Sequence, residues 1–89
     1  MPETPDHRLK RLRMRSMRRG IKEMDLILSA FADTELAGMG AGDLDLYDQM
    51  LNENDHDLYQ WVSAQSDPPA PYLGLVGDIR RHIATARQG

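Results

Sequence analysis

The sequence predicts an all-α fold: a single small domain built as a bundle of about five short helices. Three observations carry this. Apolar residues recur at spacings of three and four along nearly the whole chain, the period of one helix face. No segment alternates apolar and polar residues at period two, and no hairpin turn separates two apolar runs. Glycine- and proline-rich breaks cut the chain into short lengths. With 89 residues, 40% of them hydrophobic, residues 1–89 suit one domain with one core. Six Met against one Trp and one Phe make that core adaptable. Residues 1–7 are expected to be a disordered start and 87–89 a frayed end.

The first helix is expected from Pro5 or Asp6 to Arg18, with Asp6 as its N-cap and a thin apolar stripe of Leu9, Leu12 and Met17. Gly20 is expected to end or kink it, because glycine costs about 1 kcal/mol relative to Ala inside a helix. The second should span Lys22 to Ala32, with Ile21, Met24, Leu28 and Phe31 on one face and Ile27 widening it. Asp33-Thr34-Glu35-Leu36 can add a turn. Ala37 to Gly42 holds three glycines and reads as a flexible connection. A third helix, capped by Asp43 and running to Asn52, buries Leu44, Tyr47, Met50 and Leu51. Asp55 is the expected N-cap of a fourth, with Leu58, Trp61 and Val62 inward and Asp57 favoured by the helix dipole. Asp67-Pro68-Pro69-Ala70-Pro71 must break it. The last helix, Tyr72 to Ala86, presents Leu75, Val76, Ile79 and Ile83, with Arg80, Arg81 and Arg87 suited to its C-terminal end.

Charge is segregated along the chain. Residues 1–22 carry eight Lys or Arg and two acids, residues 23–78 carry twelve acids and no Lys or Arg, and residues 79–89 carry three Arg, for a net charge of −3. Such asymmetry either steers the protein toward a charged partner or lets the basic helix pack beside the acidic ones. No Cys is present, which removes disulfides, thiolate zinc sites and Cys nucleophiles. No apolar run approaches the roughly 20 residues of a membrane span, and the acidic, proline-containing start has no signal-peptide core.

Most candidate chemistry reduces to structure. Gly38-x-Gly40-x-Gly42 follows a helix and lacks the third glycine of a dinucleotide fingerprint. Asp43-x-Asp45-x-x-Asp48 and Asn52-x-Asn54-Asp55-x-Asp57 look like calcium-loop fragments, but neither has the Gly and Glu that such a loop requires; they read as acidic helix starts. His7, His56 and His82 are scattered, so no metal site is expected. No serine has partners for nucleophilic catalysis. The arginines of the first helix could meet phosphates, but no aromatic residue interleaves them. Arg19-Gly20-x-x-Glu23 has two readings. Arg19 and Glu23 stand four apart, a surface pair worth about 0.3–0.5 kcal/mol on a continuous helix. Alternatively, Gly20 lets a partner backbone approach closely while Arg19 and Glu23 supply polar contacts on either side.

Two blocks together resemble the succinate dehydrogenase flavinylation factor family, which includes bacterial and mitochondrial assembly factors. The first is Arg18-Arg19-Gly20-Ile21-Lys22-Glu23-Met24-Asp25. The second is Tyr47-Asp48-Gln49-Met50-Leu51 leading into Asn54-Asp55-His56-Asp57-Leu58-Tyr59-Gln60-Trp61. The resemblance runs from about Leu12 to Ala84. His56 stands where the family often has proline. The resemblance implies a five-helix fold and a role in covalent attachment of FAD to the flavoprotein subunit of succinate dehydrogenase, extending to fumarate reductase. It also implies partner-binding roles for Arg19, Gly20 and Glu23, with Asp25 beside them.

The reaction implied joins a histidine of the target to the flavin 8α-methyl carbon, which must lose a proton while negative charge is stabilised on the ring. The expected role is that of an assembly chaperone that orients the flavoprotein, an effect able to supply several kcal/mol, rather than an enzyme with its own catalytic residues. An exposed Glu23 would be a poor base for a carbon acid. No tightly bound FAD or metal is expected, since the FAD is the partner's. The reading further expects a monomer without nucleic acid or membrane insertion, in the bacterial cytoplasm rather than the mitochondrial matrix. Gly20→Arg and Glu23→Ala are both expected to spare the fold. The alternative function is a small regulatory protein or an antitoxin-type nucleic-acid binder that uses the Arg-rich first helix.

Overall fold

A computed structural model describes residues 3–88, and among the described residues there are five α-helices and no strand. They are α1 (Pro5–Arg15), α2 (Lys22–Glu35), α3 (Ala41–Met50), α4 (Asp55–Val62) and α5 (Leu73–Gln88), with 3-10 turns at Leu36–Gly38 and Ala70–Tyr72. The all-α expectation holds. Residues 1–2 and 89 lie outside the described residues, as does the Arg87 side chain, so the expected ends fall partly there.

Several boundaries differ, each for a local reason. The N-cap of α1 is Thr4, whose Oγ1 accepts from the His7 N–H at 3.2 Å, so Asp6 sits inside the first turn. The helix stops at Arg15, three residues earlier than expected. Ser16 closes it with N–H bonds to Leu12 and Arg13 carbonyls, and Arg18 then takes a left-handed backbone (φ 54°). Gly20 has no positive φ, so it does not terminate the helix. The second helix includes the extra turn through Glu35, and Leu36, fully buried, anchors the 3-10 turn that follows. Only Met39 and Gly40 then separate that turn from α3, so the glycine-rich stretch is far shorter as a connection than it looks. Asp43 lies within α3, whose N-cap is Gly40. In α4 the N-cap is Asn54, with Oδ1 accepting from the His56 N–H at 2.8 Å, and Asp55 is displaced into the first turn.

The core forms as the apolar spacing requires. Leu12 enters from α1, Met24, Leu28 and Phe31 from α2, Tyr47 and Met50 from α3, and all are buried. Leu58, Trp61 and Val62 of α4 and Val76 and Ile79 of α5 complete it. Each such side chain contributes about 1.5–3 kcal/mol by leaving water. Phe31 stacks on Tyr47 with ring centroids 5.8 Å apart, and the His82 ring meets Phe31 edge-on at 5.8 Å. Tyr47 is fully buried, and its hydroxyl lies 2.6 Å from Ser16 Oγ, which bonds the Leu12 carbonyl at 2.7 Å. Since the Ser16 hydrogen goes to that carbonyl, Tyr47 is the donor. The pair ties α3 to the end of α1.

A second tie is electrostatic. Arg8 pairs with Asp45, Arg11 and Arg15 with Asp48, Arg15 with Asn52 and Arg19 with Asp55. The numbers advance together, so α1 and the α3–α4 segment run in the same direction, side by side. Arg11 grips Asp48 with two nitrogens, at 3.1 and 2.9 Å, and also holds Glu3. Three of the acids that resemble calcium-loop fragments, Asp45, Asp48 and Asp55, are therefore counter-charges for the basic segment, and half of its eight cations are neutralised within the chain. Hydrogen bonds from Arg11 hold the carboxyls of Asp48 and Glu3 below the ordinary range, against the opposing effect of desolvation. Burial pushes the Tyr47 hydroxyl up to about 12, partly offset by its bond to Ser16 and by Arg19 and Arg15. At α4 Gln65 and Ser66 N–H groups return to the Gln60 carbonyl, and Ala64 sits at φ 64°, a conformation that costs a non-glycine residue about 1 kcal/mol.

These ties give two measurable outcomes. Ser16→Ala strands the Tyr47 hydroxyl and should cost about 1–3 kcal/mol in urea unfolding. Adding Tyr47→Phe should recover part of that loss, a non-additivity read from the double-mutant cycle. Stability should also fall on both sides of neutrality. For Asp48 and Glu3 the folded value lies below the unfolded one, about 4, so their contribution is complete above about pH 4 and disappears as pH falls through the lower folded values. For Tyr47 the folded value lies above the unfolded one, about 10, so its contribution is complete below about pH 10 and disappears toward 12. Asp48→Asn should flatten the acid limb of urea midpoint against pH, and Tyr47→Phe the alkaline one.

Candidate functional site

The turn between α1 and α2, residues 16–21, carries the Arg19-Gly20 pair. Its conformation is set from outside the turn, by Asp55 at the start of α4. Arg19 Nε and Nη2 both donate to Asp55 Oδ1, at 2.9 and 2.7 Å. The Gly20 N–H donates to Asp55 Oδ2 at 2.5 Å. The rest of the guanidinium is used too: Nη1 reaches the Arg15 carbonyl at 2.9 Å and Nη2 the Leu51 carbonyl at 3.1 Å. The Arg19 and Asp55 side chains are only 13% and 17% exposed, which strengthens the pair relative to a solvated one. The first turn of α4 adds a favourable field for the Asp55 charge.

Gly20 suits this contact. A Cβ there would lie 3.1 Å from Asp55 Oδ2, close enough to force the carboxylate back from the amide it accepts. The expectation that a glycine permits close approach is right in kind. The group that approaches is a carboxylate of this chain.

Glu23 is placed oppositely. It lies in the first turn of α2, exposed, and among the described residues it has no hydrogen bond or ion pair. The Arg19–Glu23 surface pair does not form, because Arg19 is folded inward onto Asp55 and the chain is not helical between 16 and 21. Asp25 is half-buried and accepts from Ser29 Oγ at 3.2 Å. Ser29 also lies 3.5 Å from the Ser16 carbonyl, so Asp25 faces the turn from its inner side. Thus the Arg19 side chain and the Gly20 N–H meet at Asp55, Asp25 bonds within α2, and Gly20 and Glu23 are the two of the four that are exposed, Glu23 without a hydrogen bond or ion pair among the described residues.

Asp55 is the residue that sequence reasoning assigned to a different task, as a helix cap. One signal pointed to it. Arg8, Arg11, Arg15 and Arg19 step by three and four, as do Asp45, Asp48, Asn52 and Asp55. Two matched stripes of opposite character suggest a ladder, whose last rung is Arg19–Asp55. The scattered histidines stay apart from any cluster: no group of three metal-binding side chains occurs among the described residues, and no described helix is long and apolar enough to cross a membrane.

The sequence pattern of a family described as flavinator of succinate dehydrogenase matches residues 10–83. A protein of Aspergillus flavus named succinate dehydrogenase assembly factor 2, mitochondrial, is 51% identical over 59 residues, 66% of this chain and 20% of its own length. Proteins of the same name in Candida glabrata and Cryptococcus neoformans are 48% and 38% identical, over 68% and 81% of this chain and 40% and 42% of their own lengths. The chain therefore spans less than half the length of these relatives. Their names correct one expectation: all are called mitochondrial, which overturns the placement in a bacterial cytoplasm. The match over residues 10–83 takes in both the Arg19–Gly20 turn and the Asp55 that clamps it, and this chain belongs to the succinate dehydrogenase flavinator family.

Proposed function

We propose that the chain is an assembly chaperone that promotes covalent attachment of FAD to the flavoprotein subunit of succinate dehydrogenase, with Glu23 as its polar contact. Membership of a family described as flavinator of succinate dehydrogenase supports this target. The observation that carries the assignment of roles is the split within Arg19-Gly20-x-x-Glu23. Arg19 and Gly20 are consumed by Asp55, and Glu23 is left exposed beside a turn that they hold still.

The chemistry fits orientation better than proton transfer. Bond formation between a target histidine and the flavin 8α-methyl needs the two groups in register and a methyl proton removed. A hydrated surface carboxylate with no shielding neighbour is poorly suited to deprotonate carbon. A fixed anion on a clamped turn is well suited to hold a basic side chain of the flavoprotein, and so to bias its domain arrangement toward the reactive geometry. The FAD is held by the flavoprotein in this reading, and Asp25 acts through the α2 start.

A nucleic-acid role for the Arg-rich helix has less support from the geometry. Arg8, Arg11, Arg15 and Arg19 already face carboxylates of the same chain, which leaves Lys10, Arg13 and Arg18 as the cations of this segment that could meet phosphate without breaking a pair.

Two variants separate contact from clamp. Glu23→Ala should keep the circular dichroism and thermal midpoint of the parent while lowering covalent flavin on the flavoprotein several-fold, scored by in-gel flavin fluorescence. Undiminished flavin would refute Glu23 as the contact. Asp55→Asn should instead lower stability by about 1–3 kcal/mol, through loss of the sheltered pair with Arg19, and lower flavinylation with it. Gly20→Arg should behave like Asp55→Asn, against the sequence-based expectation of an intact fold, because its Cβ meets the same carboxylate.

A further inference from the structure

α2 is apolar on two sides. Its inner side, Met24, Leu28 and Phe31, is buried in the core. Its outer side continues from Glu23 as Leu26, Ile27 and Ala30, at steps of three and four, where a helix packed on one core ordinarily turns charged residues to water. Leu26 is 64% exposed, matched only by Met14 among the large hydrophobics described as exposed.

This outer side lines a groove of about 610 Å³ together with Tyr59, Ala64 and Ile83, and the exposed Glu23, at the start of α2, lines it too. Two features indicate what fits it. Ala64 holds a left-handed backbone, φ 64°, where glycine would be unstrained; the chain thus places a methyl group on the groove at a conformational cost. Glu23 brings a negative charge without a partner among the described residues. Arg80, the one Arg or Lys among the described residues lining the groove, donates from Nε and Nη2 to the Trp61 and Ser66 carbonyls, at 2.7 and 3.2 Å, and is turned to its own chain. The groove therefore complements an apolar strip that carries a positive charge at one end.

We propose that this groove seats an apolar segment of the same flavoprotein, entered at the Glu23 end by a Lys or Arg of that segment. This rests on the chaperone reading above and adds a second, apolar half to its contact. Glu23 fixes register and charge, and the Leu26–Ala30 strip supplies the burial that an isolated surface ion pair lacks.

The test uses the full chain and the purified flavoprotein subunit. Leu26→Asp and Ala30→Glu alter exposed positions and should keep the parent's thermal midpoint while weakening flavoprotein binding at least tenfold. Ala64→Gly should bind two- to threefold more weakly. A photo-crosslinking residue at position 30, which leaves the rest of the groove intact, should capture a flavoprotein peptide that is apolar and contains Lys or Arg. Parental affinity for both groove variants, with Glu23→Ala still impaired, overturns the groove and leaves the role of Glu23 standing. Absence of any binding by the parent chain instead overturns the chaperone reading. Crosslinking at position 30 to a second copy of this chain, with sedimentation showing a dimer that Ala30→Glu abolishes, gives the groove a different occupant and overturns the proposal.

Discussion

The structure depends most on a single carboxylate. Asp55 accepts from the Arg19 guanidinium with one oxygen and from the Gly20 amide with the other. Without it the 16–21 turn would have a left-handed Arg18, an arginine to solvate and an unpaired amide, with nothing to choose one arrangement. With it, the turn is pinned to the start of α4, and α2 leaves the turn in a fixed direction. The direction of α2 in turn decides which of its faces enters the core and where Glu23 stands. A residue 35 and 36 positions downstream of Gly20 and Arg19 thus governs the geometry of the motif, and the two sequence blocks are two halves of one contact.

The ladder of arginines generalises the same physics. Surface ion pairs are individually worth about 0–1 kcal/mol, so Arg8–Asp45 contributes little by itself. Their value lies in sequence order: rungs at 8, 11, 15 and 19 meet 45, 48, 52 and 55 in the same order. A slip by one helical turn would set Arg11 against the neutral Asn52 and leave Arg19 without Asp55. The apolar contact of α1 is thin, with Leu12 its fully buried hydrophobic, and could not fix register alone. The charges specify the register, and the Ser16–Tyr47 bond closes it at the end where the turn begins.

The helices and most of the buried face were legible in the sequence because periodicity reports amphipathicity directly: Met24, Leu28, Phe31, Tyr47, Leu58, Trp61 and Ile79 all lie where spacing put them. Helix ends were less legible, since Thr4 and Asp6, or Asn54 and Asp55, are alternative caps of similar strength, and tertiary contacts decide between them. Asp55 is taken by Arg19, so Asn54 caps. The Arg19–Glu23 relation misled for the same reason. A four-residue spacing implies a pair only on a continuous helix, and the helix stops at Arg15. Gly20 signalled a close approach truthfully, but nothing local could name the approaching group, because the pairing is long-range.

That long-range clamp also suits the assembly role proposed for the chain. A partner gains affinity and specificity from a surface that is already ordered, since no entropy is then lost in ordering it. In the proposed reading, Arg19 and the Gly20 N–H act by holding the turn, which makes Glu23 and the Leu26–Ala30 strip a fixed pattern of one charge followed by apolar surface. Substitutions at Gly20 and at Glu23 should therefore impair the same activity by different routes, one by releasing the pattern and the other by erasing its charge. Only the first registers in the stability of the free protein. On the proposed reading the motif is a clamp and a contact rather than four equivalent contacts, because Asp55 fixes Arg19 and the Gly20 N–H and thereby the position of Glu23.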